Sequence, residues 1–162
     1  MITKIDSEYT KTLGAACSLC SKSEKCVIDI RQYLFRKGVA DNIIEQIITY
    51  LTENQFINHS RYAKAYVNDK IKFAGWGLIK IGQMLKLKQI EPEIIKEALD
   101  SADIQFEESN ALKLLTYKYK TIKEDDINKI KAKLIRFAFS RGWNSRTSMQ
   151  IINNLLYSQK DN

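Results

Sequence analysis

Apolar side chains recur at helical spacing along most of the chain. Ile43, Ile44, Ile47, Ile48 and Leu51 form one such stripe, and its three- and four-residue intervals are typical of an amphipathic helix. Proline and glycine, which interrupt helices, are scarce, with one proline and six glycines in 162 residues. We therefore predict an all-α fold of about nine helices, near residues 8–20, 23–37, 41–53, 60–74, 77–88, 92–102, 107–120, 126–141 and 145–157.

The sequence also repeats itself. The stretch 32–51 aligns without gaps with residues 83–102 and again with residues 136–155. One column of this alignment is apolar throughout and contains Leu34, Leu85 and Ala138. Another column holds residue types that start helices and contains Asp41, Pro92 and Ser145. The matched stretches are therefore expected to share one local fold.

One predicted helix precedes each matched pair, so the repeating unit has three helices. We predict three tandem three-helix repeats, at residues 1–55, 56–104 and 105–162. A unit of this size buries little apolar surface alone, so neighbouring units are expected to stack into an elongated, curved array. Arrays of this kind present long concave surfaces, which favour binding a partner over catalysis.

Charge is distributed unevenly along the chain, whose formal net charge is +7. Residues 60–88 carry seven basic side chains and one acidic, and residues 111–162 carry eleven basic and four acidic. Residues 89–110, between them, carry one basic side chain and seven acidic. Basic segments of this kind suit a negatively charged partner. The alternative is that the lysines simply solvate the outer faces of the helices.

Several functional classes are excluded. No apolar run approaches the roughly 20 residues that cross a bilayer, and the N-terminal sequence has no apolar signal segment. We therefore expect a cytoplasmic protein without membrane association, whose three cysteines are reduced thiols. The glycines form no phosphate-binding loop, and the single histidine leaves little room for acid–base chemistry. The sequence thus predicts neither an enzyme nor a cofactor.

Three groups of residues could be interpreted as metal or catalytic sites, but each has a simpler explanation. Cys17, Cys20 and Cys26 lack the fourth ligand of a structural zinc site, and we expect them to act as small hydrophobes. His59 has no evident catalytic partner and is expected to cap a helix or lie at the surface. The acidic run 124–126 suits the dipole of the helix that follows. No metal site is predicted.

Aromatic and basic residues interleave twice. Residues 61–66 read Arg-Tyr-Ala-Lys-Ala-Tyr, and residues 117–120 read Tyr-Lys-Tyr-Lys. This pattern suits a nucleic-acid backbone, with cations on phosphates and rings available for stacking. The structural alternative places Tyr66 in the core, because it shares an apolar stripe with its helical neighbours. Tyr117 and Tyr119 cannot both face the same way, which weakens the stacking hypothesis.

Three neighbouring segments carry a family resemblance. They are Phe-Ile-Asn-His-Ser-Arg-Tyr-Ala-Lys-Ala-Tyr-Val at residues 56–67, the corner Gly75-Trp76-Gly77, and the helix that runs through Ile81 and Leu85. Trp76 is expected to plug the corner, with an exposed interface ring as the alternative. Together these segments resemble the central signature of the RecX family, bacterial regulators of the recombinase RecA.

The chain departs from the family pattern at four positions. Asn58 and His59 replace two aspartates, so the helix cap survives through Asn58 or Ser60 without its charge. Lys80 stands where arginine is usual. Gln89 replaces a glycine, so either the fifth helix ends differently or Gln89 adopts a strained φ.

The resemblance implies a small non-enzymatic protein that binds the RecA filament on single-stranded DNA, lodges in its helical groove and restrains ATP hydrolysis and strand exchange. Direct contact with the DNA backbone is left open, and a monomer is expected. Charge density selects the candidate contact residues, with Trp76 added for its aromatic ring. They are Arg61, Lys64, Lys70, Lys72, Trp76, Lys80, Lys86, Lys88, Lys118, Lys120, Lys131 and Arg136.

Two other functions compete with this hypothesis. One is an independent DNA-binding module that inserts the second helix of a helix-turn-helix into the major groove, with helices 41–53 and 145–157 as candidates. The first of these helices is poor in lysine and arginine, which weakens the idea. The other is an enzyme, which lacks any recognisable catalytic set.

Overall fold

The computed structural model describes residues 4–157, and these residues form helices without strands. The all-α prediction is therefore confirmed for this part of the chain. In chain order the helices are α1 (Lys4–Lys22), α2 (Val27–Arg36), α3 (Asp41–Glu53), α4 (His59–Asp69), α5 (Leu78–Leu87), α6 (Pro92–Asp100), α7 (Ile104–Thr121), α8 (Ile127–Arg141) and α9 (Ser145–Tyr157). A π-helical turn, Lys70–Ala74, extends α4.

The predicted boundaries differ most around the first two helices. α1 is longer than expected, and α2 begins at Val27 rather than near residue 23. Cys26 explains the later start, because its backbone is extended, with φ −98° and ψ 169°. The Asp29 carboxylate accepts a 3.4 Å hydrogen bond from the Cys26 N–H and so closes the first turn.

The three aligned stretches end their first helices in the same way. The residue just past each helix has a left-handed backbone, with φ of 74° at Gly38, 57° at Gln89 and 76° at Gly142. The next residue donates its N–H to the apolar residue five positions earlier, as in the 3.1 Å bond from Ile90 to the Leu85 oxygen. This is the Schellman arrangement. Of the two alternatives that the sequence left open at position 89, the strained φ is the one that Gln89 adopts.

The starts of the second helices in each stretch also agree with the alignment. α3 begins at Asp41, α6 at Pro92 and α9 at Ser145. α4 and α8 have side-chain caps: Asn58 accepts from the Arg61 N–H at 2.9 Å, and Asp126 accepts from the Asn128 N–H at 2.8 Å. The interpretation of residues 124–126 as a helix start is thus confirmed.

The described residues pack into two compact units. The first contains residues up to Ala65 together with Leu85–Lys96, and the second contains Tyr66–Met84 together with residues from Glu97 onward. The core of the first unit is formed by the predicted α3 stripe packed on α1 and α2, and Ile30, Leu34 and Ile47 are fully buried there.

The second unit has its own core, built from α7, α8 and α9. Leu115, Leu134 and Ile152 are fully buried at its centre. Trp143 is 97% buried and meets Phe137 edge to face, with ring centroids 5.7 Å apart. The three-repeat division at residues 55 and 104 stays a prediction from the self-alignment.

Candidate partner-binding surface

In the first unit, two of the candidate cations hold the structure together. Arg61 Nε donates to Glu24 Oε1 at 2.9 Å, and Arg61 Nη2 donates to the backbone oxygen of Gln55 at 2.9 Å. These bonds tie the start of α4 to the α1–α2 connection and to the end of α3. A guanidinium held in this way is less available to a partner than its exposure suggests, because binding would break existing bonds.

Lys88 is the second of these cations. Its Nζ donates to Asp29 Oδ1 at 2.6 Å, and the ammonium lies 6.0 Å from the centre of the buried Tyr62 ring. Burial alone would raise the pKa of Asp29, but the hydrogen bond and charge of Lys88, with the Cys26 N–H, outweigh it. The pKa of Asp29 therefore lies below its ordinary value. The other two candidates here, Lys64 and Lys86, are exposed.

His59 and the cysteines also lie in the first unit and have structural roles. His59 Nε2 accepts from the Val27 N–H at 3.4 Å, and Nδ1 lies 2.7 Å from Glu91 Oε2. Because Nε2 accepts, Nδ1 carries the proton and donates to the carboxylate. Burial would raise the pKa of Glu91, but the His59 hydrogen bond lowers it overall. The expectation of a capping histidine is confirmed, although the helix it caps is α2.

Cys17 and Cys20 pack against the core of the first unit, and Cys26 is fully buried. Burial raises the pKa of all three thiols, so they remain protonated at neutral pH. Their interpretation as small hydrophobes is confirmed. Across residues 4–157, no three histidine, cysteine or acidic side chains converge as a metal site. No helix in that range is long and apolar enough to span a bilayer.

The second unit contains a cluster of two lysines on Trp76. The ammonium groups of Lys70 and Lys80 lie 4.9 Å and 4.5 Å from the Trp76 ring centre. Lys70 is also 5.1 Å from the Tyr66 ring centre. Tyr66 is half-buried under this ammonium, so its predicted place in the core is wrong; Tyr62, four residues earlier, is the buried ring. Each cation–π contact contributes about 0.5–1 kcal/mol at an exposed site.

The backbone around Trp76 forms the tight corner that the sequence predicted. Gly75 has a φ of 61°, and a Cβ on it would lie 2.6 Å from Leu114 Cδ1. The Gly77 N–H donates to the Arg141 oxygen at 2.8 Å, and the Ile79 N–H donates to the Gly142 oxygen at 3.2 Å. A Cβ on Gly77 would overlap the Gly142 backbone oxygen, so a side chain is unfavourable at both flanks, and Trp76 is half-buried between them.

A third N–H group at the start of α5, that of Leu78, also donates to a residue distant in sequence. Glu107 is 93% buried, and its Oε1 accepts from the Leu78 N–H at 3.2 Å. Burial raises the pKa of Glu107; the Leu78 hydrogen bond partly offsets that rise, and the neighbouring charge of Glu108 adds to it. The sequence pattern did not identify Glu107, because an acidic residue near a helix start is ordinarily exposed.

Lys118 and Arg136 meet at a basic hollow of about 330 Å³ in the second unit. Its lining is completed by Lys133, Phe137 and Ser140. The Lys118 ammonium lies 5.7 Å from the Phe137 ring centre. Lys133, which also reaches Glu124 Oε2 at 3.3 Å, was missed by the sequence reasoning. Its spacing of three residues from Arg136 on α8 was the available signal.

The remaining candidates of the second unit lie apart from these contacts. Lys72 and Lys120 are exposed, and Lys131 is half-buried. Sequence reasoning also missed Arg141, whose Nη1 donates to the Ala74 oxygen at 2.7 Å and whose guanidinium lies 5.1 Å from the Phe137 ring centre.

The helices proposed for a DNA-binding module offer little to a duplex. α3 contains no lysine or arginine, and α9 contains only Arg146. Recognition helices of that class need cations near the phosphates as well as side chains that reach the bases.

Comparison with known proteins gives one consistent result. The family profile described as "RecX, second three-helix domain" matches residues 58–99. "Regulatory protein RecX" of Clostridium tetani is 34% identical over 155 residues, which cover 94% of this chain and 71% of that protein. The protein of the same name from Clostridium beijerinckii is 31% identical over 157 residues, covering 95% of this chain and 73% of that protein.

Two solved structures have a similar fold. "Crystal structure of regulatory protein RecX" gives a TM-score of 0.78 at 21% identity, covering 90% of this chain and 73% of that one. "Crystal structure of RecX from Lactobacillus salivarius" gives a TM-score of 0.72 at 20% identity, covering 92% of this chain and 97% of that one. At these identities the likeness concerns the fold.

Proposed function

This chain belongs to the RecX family of regulatory proteins, and from that premise we propose that it binds the RecA filament on single-stranded DNA and restrains RecA activity. The observation that carries the proposal is the 34% identity to a protein named regulatory protein RecX over nearly the whole chain. It acts in the cytoplasm as a monomer, by binding alone, without a catalytic group, a metal or a cofactor.

The distribution of cations supports this proposal and refines it. Arg61, Lys70, Lys80 and Lys88 already contact carboxylates, carbonyl oxygens or aromatic rings of their own unit. By contrast, four exposed basic residues have side chains that make no ion pair or hydrogen bond within residues 4–157. These residues are Lys72, Lys86, Lys120 and Arg136. We assign the partner contacts to this second group, since contact there breaks no internal bond.

The test is single-stranded-DNA-dependent ATP hydrolysis by the cognate RecA with increasing amounts of this protein. We expect inhibition well below one molecule per RecA subunit. Lys72→Glu and Lys86→Glu are expected to weaken inhibition several-fold. Lys113→Glu, also on an exposed lysine, serves as the matched control and should leave it unchanged. No inhibition by a folded, helical protein at stoichiometric excess would refute the proposal.

A salt titration on free DNA separates filament binding from simple DNA binding. A protein that binds single strands directly loses affinity with a log–log slope of about −0.7 per phosphate neutralised. We expect weak binding to free DNA and strong binding once RecA is loaded. Equal affinity with and without RecA would instead favour the DNA-binding module.

A further inference from the structure

The second unit contains an apolar groove that the proposed function does not use. It lies between α5, α8 and α9, has a volume of about 410 Å³ and falls in the size range of ligand pockets. Its apolar lining includes Ile79, Met84, Ile135, Phe139, Met149 and Ile152. Phe139 stands at the rim with 85% of its surface exposed. Large apolar side chains exposed around a groove are typical of interaction sites.

Two residues that line this groove each have a buried side-chain polar atom without a partner. Trp143 is 97% buried and Ser148 is 96% buried. Neither Trp143 Nε1 nor Ser148 Oγ makes a hydrogen bond with any described residue. Native proteins pair nearly all such atoms, because an unpaired buried donor costs free energy. An indole N–H can only donate, so a group that pairs with Trp143 Nε1 is an acceptor.

The surroundings of the groove are basic. The hollow formed by Lys118, Lys133 and Arg136 adjoins it, because Ser140 lines both depressions. Lys80 also lines the groove, and its Nζ donates to the Ser140 oxygen at 3.0 Å. Glu124 pairs with Lys133, whereas Arg136 is exposed and has no such acidic partner among the described residues. A negatively charged group beside the groove would therefore be attracted to it.

We propose that this groove binds a short segment of a partner protein in which a bulky apolar side chain is flanked by acidic residues. The apolar side chain enters between Met84, Met149 and Ile152. A carbonyl oxygen of the segment accepts from Trp143 Nε1, and the acidic side chains lie against Arg136 and the hollow beside it. The thioethers of the two methionines adapt to the shape of such a side chain.

A nucleobase fits this groove less well. A base carries several donors and acceptors along its edge, whereas most of the lining of the groove is apolar. Polar atoms of a base that face this apolar lining would be buried unpaired, at a cost. The Trp143 ring is enclosed against Phe137 and gives no free face for stacking. A protein segment that brings apolar surface and one carbonyl acceptor matches the apolar lining and pairs Trp143 Nε1.

The test is a selection from a random dodecapeptide library displayed on phage, performed on the full chain without RecA. We expect enriched peptides to share one bulky apolar residue flanked by acidic residues. The best peptide is then synthesised with a fluorophore and titrated by anisotropy. Phe139→Ala should weaken binding about tenfold, and Arg136→Glu should weaken it several-fold and more strongly at low salt.

Two matched controls isolate the groove. Phe73 is as exposed as Phe139 but does not line the groove, so Phe73→Ala should leave binding unchanged. Lys113→Glu makes the same charge change away from the hollow and should also have little effect. Circular dichroism checks that each variant is folded. Because the Phe139 side chain is exposed, we expect its replacement to leave the fold intact.

Three results would overturn the proposal. The first is a selection that enriches no peptide, or peptides without the apolar and acidic pattern. The second is equal binding by the Phe139→Ala and Phe73→Ala variants. The third is displacement of the peptide by a dT20 oligonucleotide whose own binding is weakened by Phe139→Ala, which would assign the groove to nucleic acid.

Discussion

The left-handed residue at position 89 makes a quantitative prediction about stability. In the three aligned stretches this position is Gly38, Gln89 and Gly142, and all three have φ between 57° and 76°. A left-handed backbone costs a residue with a Cβ about 1–2 kcal/mol. Glycine avoids that strain, but it makes the unfolded chain more flexible, so folding costs about 0.4–1 kcal/mol more in conformational entropy than with other residues. We therefore expect Gln89→Gly to stabilise the protein by about 0.5–1 kcal/mol.

The reciprocal change is available in the same unit. A Cβ on Gly38 would meet no atom within 4 Å, so Gly38→Gln adds backbone strain without a steric clash. It should destabilise the protein by about the same 0.5–1 kcal/mol. Gln83→Gly is the control for glycine itself, because this exposed residue lies within α5. It should cost about 1 kcal/mol.

Urea unfolding followed by circular dichroism at 222 nm measures all three variants. With a slope of about 2 kcal/mol per molar urea, the Gln89→Gly midpoint should rise by roughly 0.25–0.5 M, and the Gly38→Gln midpoint should fall by a similar amount. A lower midpoint for Gln89→Gly, or no change for Gly38→Gln, would show that backbone strain at this position does not limit stability.

Three further changes test other contacts. Lys88→Met should raise the pKa of Asp29. The stability that the pair contributes is present above the ordinary carboxyl pKa and is lost as pH falls through the lowered pKa of Asp29, so acid unfolding of the variant should begin at a higher pH. An unchanged midpoint pH of acid unfolding would contradict the pairing. Glu107→Gln keeps the acceptor but removes a carboxyl whose raised pKa disfavours its charged form in the fold. It should stabilise the protein at pH 7, with the gain vanishing as pH falls below the ordinary carboxyl pKa; a gain independent of pH would refute this cause. Gly77→Ala should destabilise the protein by about 2–3 kcal/mol, because its Cβ would overlap a backbone carbonyl. Gly14→Ala, on an open helix face, is the control and should stabilise the protein by about 1 kcal/mol. Equal urea midpoints of the two variants would contradict the close approach at Gly77.

Local patterns were sufficient to predict most of the helices. The apolar stripe of α3 is buried as expected, and the starts at Asp41, Pro92 and Ser145 agree with the alignment. These features depend on periodicity, capping and backbone preference, which act over a few residues. The late start of α2 was missed, because an extended Cys26 followed by Asp29 is an unusual cap.

Long-range pairing could not be predicted in this way. Charge density placed Arg61 and Lys88 with Lys72 as equivalent candidates, yet the first two bind carboxylates of their own unit. A lysine on an internal aspartate and a lysine facing solvent have the same local sequence signal. Only the tertiary fold, which brings Asp29 to Lys88 across 59 positions of sequence, separates them.

The capping of α5 has a consequence for how the protein forms during translation. The N–H groups of Gly77, Leu78 and Ile79 go to Arg141, Glu107 and Gly142 respectively. Two of these acceptors are synthesised more than sixty residues after their donors. At about 5–20 residues per second, the ribosome needs several seconds to supply them, and the exit tunnel delays them further. Until α8 has emerged, the N–H groups of Gly77 and Ile79 have no protein acceptor and stay hydrated, so these capping bonds of α5 form late in translation.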